Sequence, residues 1–358
     1  MSSFMIYGAN GYTGSLIARE AVRRAMRPIL AGRGAENLAR LASELELEHR
    51  AFSLDSPGAI VDVVRGVPSL LNCAGPFSRT SKPMVDACLR TGTHYLDITG
   101  ESDVFEALAA RDAEATAAGI VLLPGVGFDV VPSDCLALHL KRQLPTATQL
   151  SLGFQSATRL SRGTALTVLE GLSAGGLVRE NGLLKRVPAA WKTRSINFGN
   201  GPAKAMTIPW GDVATAYYST GIKNIEFYMA TPWTTRVGAR LSRYLGWLLG
   251  SKFVQNRLRR RILAGQPGPT EAERRQNRCF FWGEASDEAG RRVIARLQTP
   301  DGYDLTVQTS LAAVARVLSG SITPGFKTPA MAFGPDFILE IAGVTRIDES
   351  TDYSRPAS

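Results

Sequence analysis

Short apolar runs alternate with amphipathic stretches through the first third of the chain. The apolar runs predict strands, and the stretches with apolar residues every three or four positions predict helices. Strands are predicted at 4–7, 27–33, 48–55, 69–77, 94–101 and 120–129, and helices at 12–25, 35–45, 56–66, 79–91 and 102–118. Strands that alternate with helices in this way form right-handed crossovers, so the pattern indicates an α/β domain with a doubly wound parallel sheet.

The pattern changes after Asp129, where strands follow one another with fewer helices between them. Helices are predicted at 131–144, 163–178 and 303–320, strands at 149–156, 193–199, 203–210 and 224–230, and a hairpin that pairs 278–287 with 291–299. This order is typical of an α+β domain. We therefore divide the chain into a first domain at 1–130 and a second domain at 131–325.

The composition indicates a globular protein with a sizeable core, since 44% of the 358 residues are hydrophobic and 20% are charged. The first residues lack a leader pattern, and no apolar run reaches the length of a membrane span. The four cysteines are scattered and lie at no metal-ligand spacing with a histidine, which predicts neither a disulfide framework nor a metal site. We expect a cytoplasmic protein.

Three glycines follow the first predicted strand and open the first predicted helix. Gly8, Gly11 and Gly14 are spaced three residues apart, whereas the commonest dinucleotide fingerprint reads G-x-G-x-x-G. Such a turn lets the backbone approach a pyrophosphate, and the helix N-terminus offers N–H groups and a positive dipole end. The turn is thus a candidate phosphate cradle in a Rossmann-type domain. The alternative is a tight strand-to-helix turn that binds nothing.

The residue that ends the second predicted strand discriminates between two cofactors. NAD-binding domains place Asp or Glu there to hold the ribose 2′-OH, whereas this chain has Arg33. A guanidinium binds a 2′-phosphate through charge-assisted hydrogen bonds, so Arg33 favours NADP(H) over NAD(H). The alternative is that Arg33 is a solvated loop residue. Asp55 closes the third strand near the expected adenine, and 72–77 closes the fourth near the expected ribose and nicotinamide.

Four motifs together resemble the saccharopine dehydrogenase-like oxidoreductases, and within them the short bacterial members related to the trans-acting enoyl reductases of lipid biosynthesis. The motifs are GANGYTG, AGRGAENLARL, LLNCAGPFSRTSKPMVDACLRTGTHYLDITGE and GVGFDVVPSDCLA. The resemblance is strong over 4–140 and looser at 209–222 and 326–337. It covers the nucleotide domain better than the second domain, and it says little about the substrate.

The resemblance implies an N-terminal domain that binds NADP(H). The implied cofactor contacts are Gly8, Asn10, Gly11, Tyr12, Thr13, Arg33, Asp55, Asn72, Ala74 and Gly75. We expect the second domain to bind the substrate and its sheet to cover the nicotinamide crevice. In the related fold a C-terminal segment returns to the first domain, so we expect 326–345, including Phe337–Ile341, to do so here and 346–358 to form a tail.

A general acid near the nicotinamide would help a reduction, because the hydride must be followed by a proton. The candidates are Lys82, His94, Tyr95, Asp97, Glu101 and Asp129 in the first domain and Tyr217 and Tyr218 in the second. His94 begins its strand and Asp97 lies inside it, so we interpret both as structural. Glu101, Asp129 and Tyr217 remain as candidate catalytic residues. Both carboxylates have helix capping as an alternative, and in enoyl reduction water can supply the proton.

The net charge of +9 comes mainly from one part of the chain. Between Phe227 and Thr270 there are eight Lys or Arg and no Asp or Glu. The segment 236–264, called here the basic segment, is amphipathic at helical spacing, with Val237, Leu241 and Leu245 on one face. A packed helical hairpin or homodimer contact, a peripheral membrane contact, and a lid over an apolar substrate all fit it. Nucleic acid is not expected, since no recognition motif is present.

These features predict an NADP(H)-dependent oxidoreductase that reduces an enoyl or carbonyl group of an apolar, lipid-like substrate. A saccharopine-cleaving enzyme would need several arginines in its pocket to hold three carboxylates, whereas many arginines of this chain lie in the basic segment. Two alternatives stay open. One is a non-catalytic NADP(H)-binding sensor or membrane-surface partner, and the other is a saccharopine-type amino-acid dehydrogenase.

Overall fold

The chain divides into two compact units in a computed structural model that describes residues 4–171, 175–240 and 251–349. The first unit comprises Met1–Asp129 and Tyr303–Ala332, and the second comprises Val130–Gly302 and Phe333–Ser358. The chain therefore leaves the first unit after Asp129, returns to it at Tyr303 and leaves again after Ala332.

The first unit contains a seven-stranded sheet in which every pair of neighbouring strands is parallel. Its strands are β1 (Met5–Tyr7), β2 (Ile29–Gly32), β3 (His49–Ala51), β4 (Ser69–Asn72), β5 (His94–Asp97), β6 (Val121–Leu123) and β15 (Gly325–Phe326). The strand order is β15-β6-β5-β4-β1-β2-β3, which confirms the predicted doubly wound α/β fold. The order reverses between β1 and β4, so the ligand crevice of such a fold lies at the carboxyl ends of these two strands.

The helices include the predicted ones, two of them with corrected bounds, and three short helices at Asp212–Thr220, Glu271–Gln276 and Pro329–Phe333 that the sequence pattern does not predict. They are α1 (Tyr12–Arg23), α2 (Ala35–Leu45), α3 (Pro57–Val64), α4 (Phe77–Thr91), α5 (Ser102–Ala109), α6 (Asp112–Ala117), α7 (Val131–Gln143), α8 (Arg162–Gly171), α9 (Asp212–Thr220), α10 (Lys252–Ala264), α11 (Glu271–Gln276), α12 (Gly302–Leu318) and α13 (Pro329–Phe333). The predicted helix 102–118 is interrupted at Ala110 and Arg111, where the Arg111 backbone leaves the helical region with ψ of 13°. The predicted helix 163–178 stops earlier, because Gly175 takes a φ of +77° and leads into a strand.

The second unit contains a nine-stranded sheet that is antiparallel except where β12 pairs with β7. Its strands are β7 (Gln149–Ser156), β8 (Gly176–Glu180), β9 (Leu183–Val187), β10 (Thr193–Asn197), β11 (Pro202–Thr207), β12 (Asn224–Ala230), β13 (Arg278–Ser286), β14 (Arg292–Pro300) and β16 (Thr345–Asp348). The main path is β10-β11-β12-β7-β13-β14-β16, with β8 on β12 and β9 on β8. This is the predicted α+β pattern.

The segment that returns to the first unit lies earlier in the chain than predicted. In the first unit, Thr309 donates a hydrogen bond to the Val126 carbonyl at 2.8 Å, and β15 pairs with β6. Phe337–Ile341, expected to return, belongs to the second unit, where Phe337 is buried and a short 3-10 helix at Phe337–Glu340 contacts α7. The predicted tail also starts too early, because β16 pairs with β14 as an edge strand.

The basic segment is described only in part. Residues 233–240 and α10 are helical, whereas Leu241 and Leu245 of the predicted amphipathic face lie outside the described residues. Among the helices that the structure describes, none combines the length and the apolar character needed to cross a bilayer.

Gly283 on β13 tests the packing of the second unit. A Cβ atom there would lie 2.6 Å from Cδ1 of Leu140 on α7 and 3.1 Å from Cδ2 of Leu152 on β7. We expect Gly283→Ala to destabilise the protein by about 1–3 kcal/mol, because these buried side chains must move. Gly238→Ala, which has open space at a helical position, is the control and should be neutral or stabilising by about 1 kcal/mol or less. Equal unfolding midpoints in urea for both variants would contradict this.

Candidate functional site

The turn after β1 brings backbone into contact so closely that only glycine fits. Gly8 has a φ of +83°, and a Cβ atom on it would lie 2.9 Å from the Ala74 amide nitrogen. A Cβ atom on Gly14 would lie 2.3 Å from the Gly8 carbonyl oxygen. Gly11 donates from its N–H to that same oxygen at 2.9 Å and precedes α1, which has no side-chain N-cap. The positive end of α1 therefore lies beside a turn of bare backbone, which suits a phosphate group.

The side chains around the turn connect it to the neighbouring strand and helix. The Asn10 amide lies against β2, with Oδ1 3.1 Å from the position of a Cβ on Gly32 and Nδ2 3.1 Å from that on Gly34. Tyr12 makes an edge-to-face contact with Tyr303, with ring centroids 5.0 Å apart. Thr13 is half-buried in the first turn of α1. Sequence patterns do not predict Tyr303, since it is distant in sequence and reaches Tyr12 only because 303–332 belongs to the first unit.

A buried tyrosine at the end of β1 is a further residue that sequence patterns miss. Tyr7 is 2% exposed and packs on Phe52 with ring centroids 5.0 Å apart, and its hydroxyl has no hydrogen-bond partner within the described residues. Burial raises the pKa of Tyr7, the charge of Arg33 lowers it and that of Asp55 raises it, so both charges act near this hydroxyl. Arg33 and Asp55 are both exposed, and Asp55 accepts a hydrogen bond from the Ser53 hydroxyl.

These groups fit the phosphorylated ribose of NADP(H). A guanidinium in solvent can close on a 2′-phosphate, and an unpartnered buried hydroxyl beside it is the kind of polar group that a ligand satisfies. The sequence signal for Tyr7 is weak: a tyrosine, with its hydroxyl group, follows two purely apolar residues at the end of β1.

Asn72 shapes the loop after β4 and is itself buried. Its Oδ1 accepts a hydrogen bond from the Ala74 N–H at 3.0 Å, and its Nδ2 donates to Thr80 Oγ1 at 3.1 Å and to the Tyr95 hydroxyl at 3.2 Å. Asn72 thus holds this loop in shape, and its predicted cofactor contact stays a prediction. Ala74 is half-buried beside Gly8 and Gly75 is exposed, so the backbone of this loop borders the glycine turn.

Asp97 is the buried, hydrogen-bonded carboxylate that its place in the strand predicts. It accepts hydrogen bonds from the Thr99 and Gly125 N–H groups at 3.0 and 2.9 Å and from the Tyr95 hydroxyl at 2.9 Å. Burial raises the pKa of Asp97 to about 6, although these hydrogen bonds act to lower it. With Asn72, this network ties together the carboxyl ends of β4, β5 and β6.

The other polar groups near β5 hold structure rather than face a ligand. His94 accepts a hydrogen bond from the Val121 N–H at 3.0 Å through Nδ1, which confirms its interpretation as structural. Lys82 is exposed and forms an ion pair with Asp86. The buried Tyr95 hydroxyl is occupied by Asn72 and Asp97.

The two candidate carboxylates of the first unit differ in what they can do. Glu101 accepts hydrogen bonds from the Phe77 and Ser78 N–H groups at 2.7 and 2.8 Å, so it caps α4, and it makes no capping bond to α5, the helix that follows it. Asp129 is half-buried, with Oδ2 2.9 Å from where a Cβ of Gly100 would lie. Burial raises the pKa of Asp129 to about 7. Asp129 is therefore the carboxyl group that can both hold and release a proton near neutral pH.

Tyr217 lies on α9 within a packed cluster of the second unit. Its ring contacts Tyr218 edge-to-face and lies 4.3 Å from the Arg179 guanidinium carbon. Arg179 is 4% exposed and donates to the Val213 and Gly182 carbonyl oxygens at 2.7 Å each. This cluster gives Tyr217 a packing role within its own unit.

In the parts of the chain that the structure describes, no group of three or more His, Cys, Asp or Glu residues could hold a metal ion.

The strand order, the glycine cradle and the cationic residue after β2 define a dinucleotide-binding domain of the Rossmann type. Residues 4–123 match the family model described as the saccharopine dehydrogenase NADP binding domain. This match confirms the resemblance seen in the motifs, and it supports NADP(H) as the cofactor of the domain.

Curated relatives match over different lengths. The trans-acting enoyl reductase of Mycobacterium ulcerans (strain Agy99) is 28% identical over 274 residues, 70% of this chain and 63% of that protein. The trans-acting enoyl reductase of Mycobacterium leprae (strain TN) is 31% identical over 148 residues, 39% of this chain and 35% of that protein. The saccharopine dehydrogenase-like oxidoreductase of Homo sapiens is 25% identical over 160 residues, and the match spans 39% of this chain and 37% of that protein. Each match therefore spans less than two thirds of the relative's own length.

A solved structure shares the fold. Apo histidine-tagged saccharopine dehydrogenase (L-Glu forming) from Saccharomyces cerevisiae aligns with a TM-score of 0.67 at 12% identity, over 98% of this chain and 100% of that one. At this identity the alignment shows a shared fold, and the NADP-binding character of the first unit rests on the family match over 4–123.

The raised pKa of Asp129 predicts a pH-dependent stability. The folded protein holds this proton up to about pH 7, whereas an unfolded aspartate releases it near the ordinary value of 3.8. Stability therefore falls as the pH rises between these values, and Asp129→Asn should remove that part of the fall. Thermal unfolding midpoints of the variant and the parent protein across this range measure it.

Asp86 supplies a control of opposite sign. Burial acts to raise the pKa of Asp86, but hydrogen bonds from Lys82 and Arg111 lower it overall. Its contribution to stability is therefore present above the ordinary pKa of aspartate and lost in acid. The cost of Asp86→Asn should grow as the pH rises. A similar pH trend for both variants would contradict the assignment for Asp129.

Proposed function

We propose that the protein is an NADP(H)-dependent oxidoreductase that reduces an enoyl or carbonyl group of an apolar, lipid-like substrate by hydride transfer. The observation that carries this proposal is the cradle formed by Gly8, Gly14 and Ala74, with Arg33 at the end of the neighbouring strand. When bound, the cofactor supplies the hydride; the protein supplies binding, orientation and a proton.

Different residues of the first unit would bind different groups of the cofactor. The turn from Gly8 to Gly14 and the N-terminus of α1 would hold the pyrophosphate. Arg33 would bind the 2′-phosphate, with the Tyr7 hydroxyl as a further donor beside it. The backbone at Ala74 and Gly75 would line the ribose, on a loop that Asn72 holds in shape.

Asp129 is the proposed proton donor. Its pKa of about 7 keeps a substantial fraction of the carboxyl group protonated near neutral pH, as a general acid requires. Glu101 is a poorer candidate, because both of its oxygens are already engaged by the backbone N–H groups of Phe77 and Ser78.

The reduction of an apolar enoyl substrate is supported by the relative with the widest match among those described. That protein, from Mycobacterium ulcerans, is called a trans-acting enoyl reductase and aligns with 70% of this chain. The least exposed arginines of the second unit also support an apolar substrate, because each already binds a carbonyl oxygen or a carboxylate of the same unit. Arg179 binds two carbonyls, Arg194 binds Glu284, Arg296 binds Glu349 and Arg346 binds Asp336. A substrate with three carboxylates would need guanidinium groups that are not so engaged.

Cofactor choice tests the first step. Arg33→Ala should weaken NADPH binding by about 10- to 100-fold and leave NADH binding unchanged, because only NADPH carries the 2′-phosphate. Arg40→Ala, another exposed arginine of the same βα unit, is the matched control and should leave both affinities as they are. A parent protein that prefers NADH, or an Arg33→Ala variant with full affinity for NADPH, would overturn the cofactor assignment.

Turnover tests the second step. Purified protein should oxidise NADPH with an α,β-unsaturated acyl thioester or a lipid-like ketone and not with saccharopine-type amino acids. Asp129→Asn should lower kcat by about 100-fold or more, and kcat/KM of the parent protein should fall above about pH 7 as Asp129 loses its proton. Unchanged kcat in the variant would show that water supplies the proton. Tight NADPH binding without oxidation by any substrate class would favour a non-catalytic NADP(H)-binding protein.

A further inference from the structure

Helix α10 presents two different faces. Val254, Leu258 and Ile262 are half-buried at four-residue spacing, and the helix packs against α8 of the same unit. Ser251 caps its N-terminus by accepting a hydrogen bond from the Val254 N–H at 3.4 Å, and Arg162 donates through Nε to the Gly265 carbonyl at 2.9 Å beyond its C-terminus. The helix is thus capped at its N-terminus and held to the rest of the unit along one side and at its C-terminal end.

The opposite face of α10 is cationic at its centre and apolar at its ends. We call this the outer face, and its members are Phe253, Arg257, Arg259, Arg260, Arg261 and Leu263. Phe253 is 78% exposed and Leu263 is 46% exposed. Apolar side chains exposed beside a charged patch are available for contact with a partner that has an apolar region.

The four arginines of the outer face form no ion pair with any residue in the described ranges. The sequence places no acidic residue between Phe227 and Thr270. The nearest acids along the chain are committed elsewhere, since Glu271 pairs with Arg275 and Glu273 with Arg159. The outer face therefore carries four positive charges that the described residues do not neutralise and that can attract an anionic partner.

A second copy of this chain is a poor partner for the outer face. A two-fold dimer would place the same patch on both sides of the interface, so four arginines would oppose four arginines. A duplex nucleic acid would neutralise these charges but would leave Phe253 and Leu263 without an apolar environment. A lipid surface satisfies both requirements, because its headgroups carry phosphates and its interfacial region accepts apolar side chains.

We propose that the outer face of α10 docks on a membrane surface rich in anionic phospholipids. The guanidinium groups contact headgroup phosphates, and Phe253 and Leu263 enter the boundary between headgroups and acyl chains. Trp233 supports the proposal. It precedes the basic segment by three residues, at the start of helical residues 233–240, and is 68% exposed. Tryptophan is favoured at membrane interfaces.

Vesicle co-sedimentation tests the proposal with the full chain. Vesicles of phosphatidylglycerol and phosphatidylcholine at low salt should bind the protein, and vesicles of phosphatidylcholine alone should bind it at least about tenfold more weakly. Raising the salt concentration should weaken binding to the anionic vesicles, because the headgroup attraction is screened. Binding that ignores lipid charge, or no binding at low salt, would overturn the proposal.

Variants separate the two parts of the outer face. Replacing Arg257, Arg259, Arg260 and Arg261 with Gln should reduce binding to anionic vesicles by about tenfold or more, and Phe253→Ser should reduce it at both low and high salt. A matched control replaces four exposed arginines of the first unit, Arg23, Arg40, Arg65 and Arg90, with Gln and should bind like the parent protein. Equal loss in the control would show a net-charge effect and not a docking face.

NADPH affinity and DNA binding distinguish membrane docking from misfolding and from nucleic-acid binding. NADPH affinity should be the same in the parent protein and in every outer-face variant, which shows that the variants fold and that docking is independent of the proposed activity. A short DNA duplex is the competing polyanion. Tight binding to DNA that Phe253→Ser leaves unchanged, together with weak vesicle binding, would replace the lipid surface with a nucleic acid as the partner.

Discussion

The close approach of two backbone segments at Gly8 is the constraint on which the candidate site depends. Gly8 lies at the end of β1 with a φ of +83°, and a Cβ atom on it would come within 2.9 Å of the Ala74 amide nitrogen, a distance that only a hydrogen atom can tolerate. Gly14 stands in the same relation to the Gly8 carbonyl. These contacts bring the start of α1 beside the loop after β4, and the anion-binding end of a helix thereby faces the crevice where the strand order reverses.

Buried polar groups then hold the carboxyl edge of the sheet in shape. Hydrogen bonds join Asn72, Tyr95 and Asp97 to one another and to the backbone of three loops. Glu101 likewise accepts hydrogen bonds from the backbone N–H groups in the first turn of α4. Buried groups of this kind are costly unless every partner is present, so the loops are confined to one arrangement. Burial also raises the pKa of Asp129, to about 7, a value suited to proton transfer.

The second unit combines a mixed sheet with a cationic helix whose outer face has no acidic neighbour in sequence. Its less exposed arginines bind carbonyl oxygens and carboxylates of the same unit, so they act as parts of the fold. The arginines of α10 have no such internal partners within the described residues, and this contrast separates structural cations from those available to a surface of opposite charge.

The sequence by itself determined the parallel sheet, the glycine turn and the position of Arg33 after the second strand. It also determined that His94 and Asp97 are structural. These features depend on periodicity and on neighbours along a strand or turn. Only the tertiary structure decided that Glu101 caps α4, that Tyr7 is a buried hydroxyl near Arg33, and that 303–332 rather than Phe337–Ile341 returns to the first unit. Each of these depends on groups far apart in the chain. Their contacts arise from packing and desolvation, which local sequence patterns do not encode.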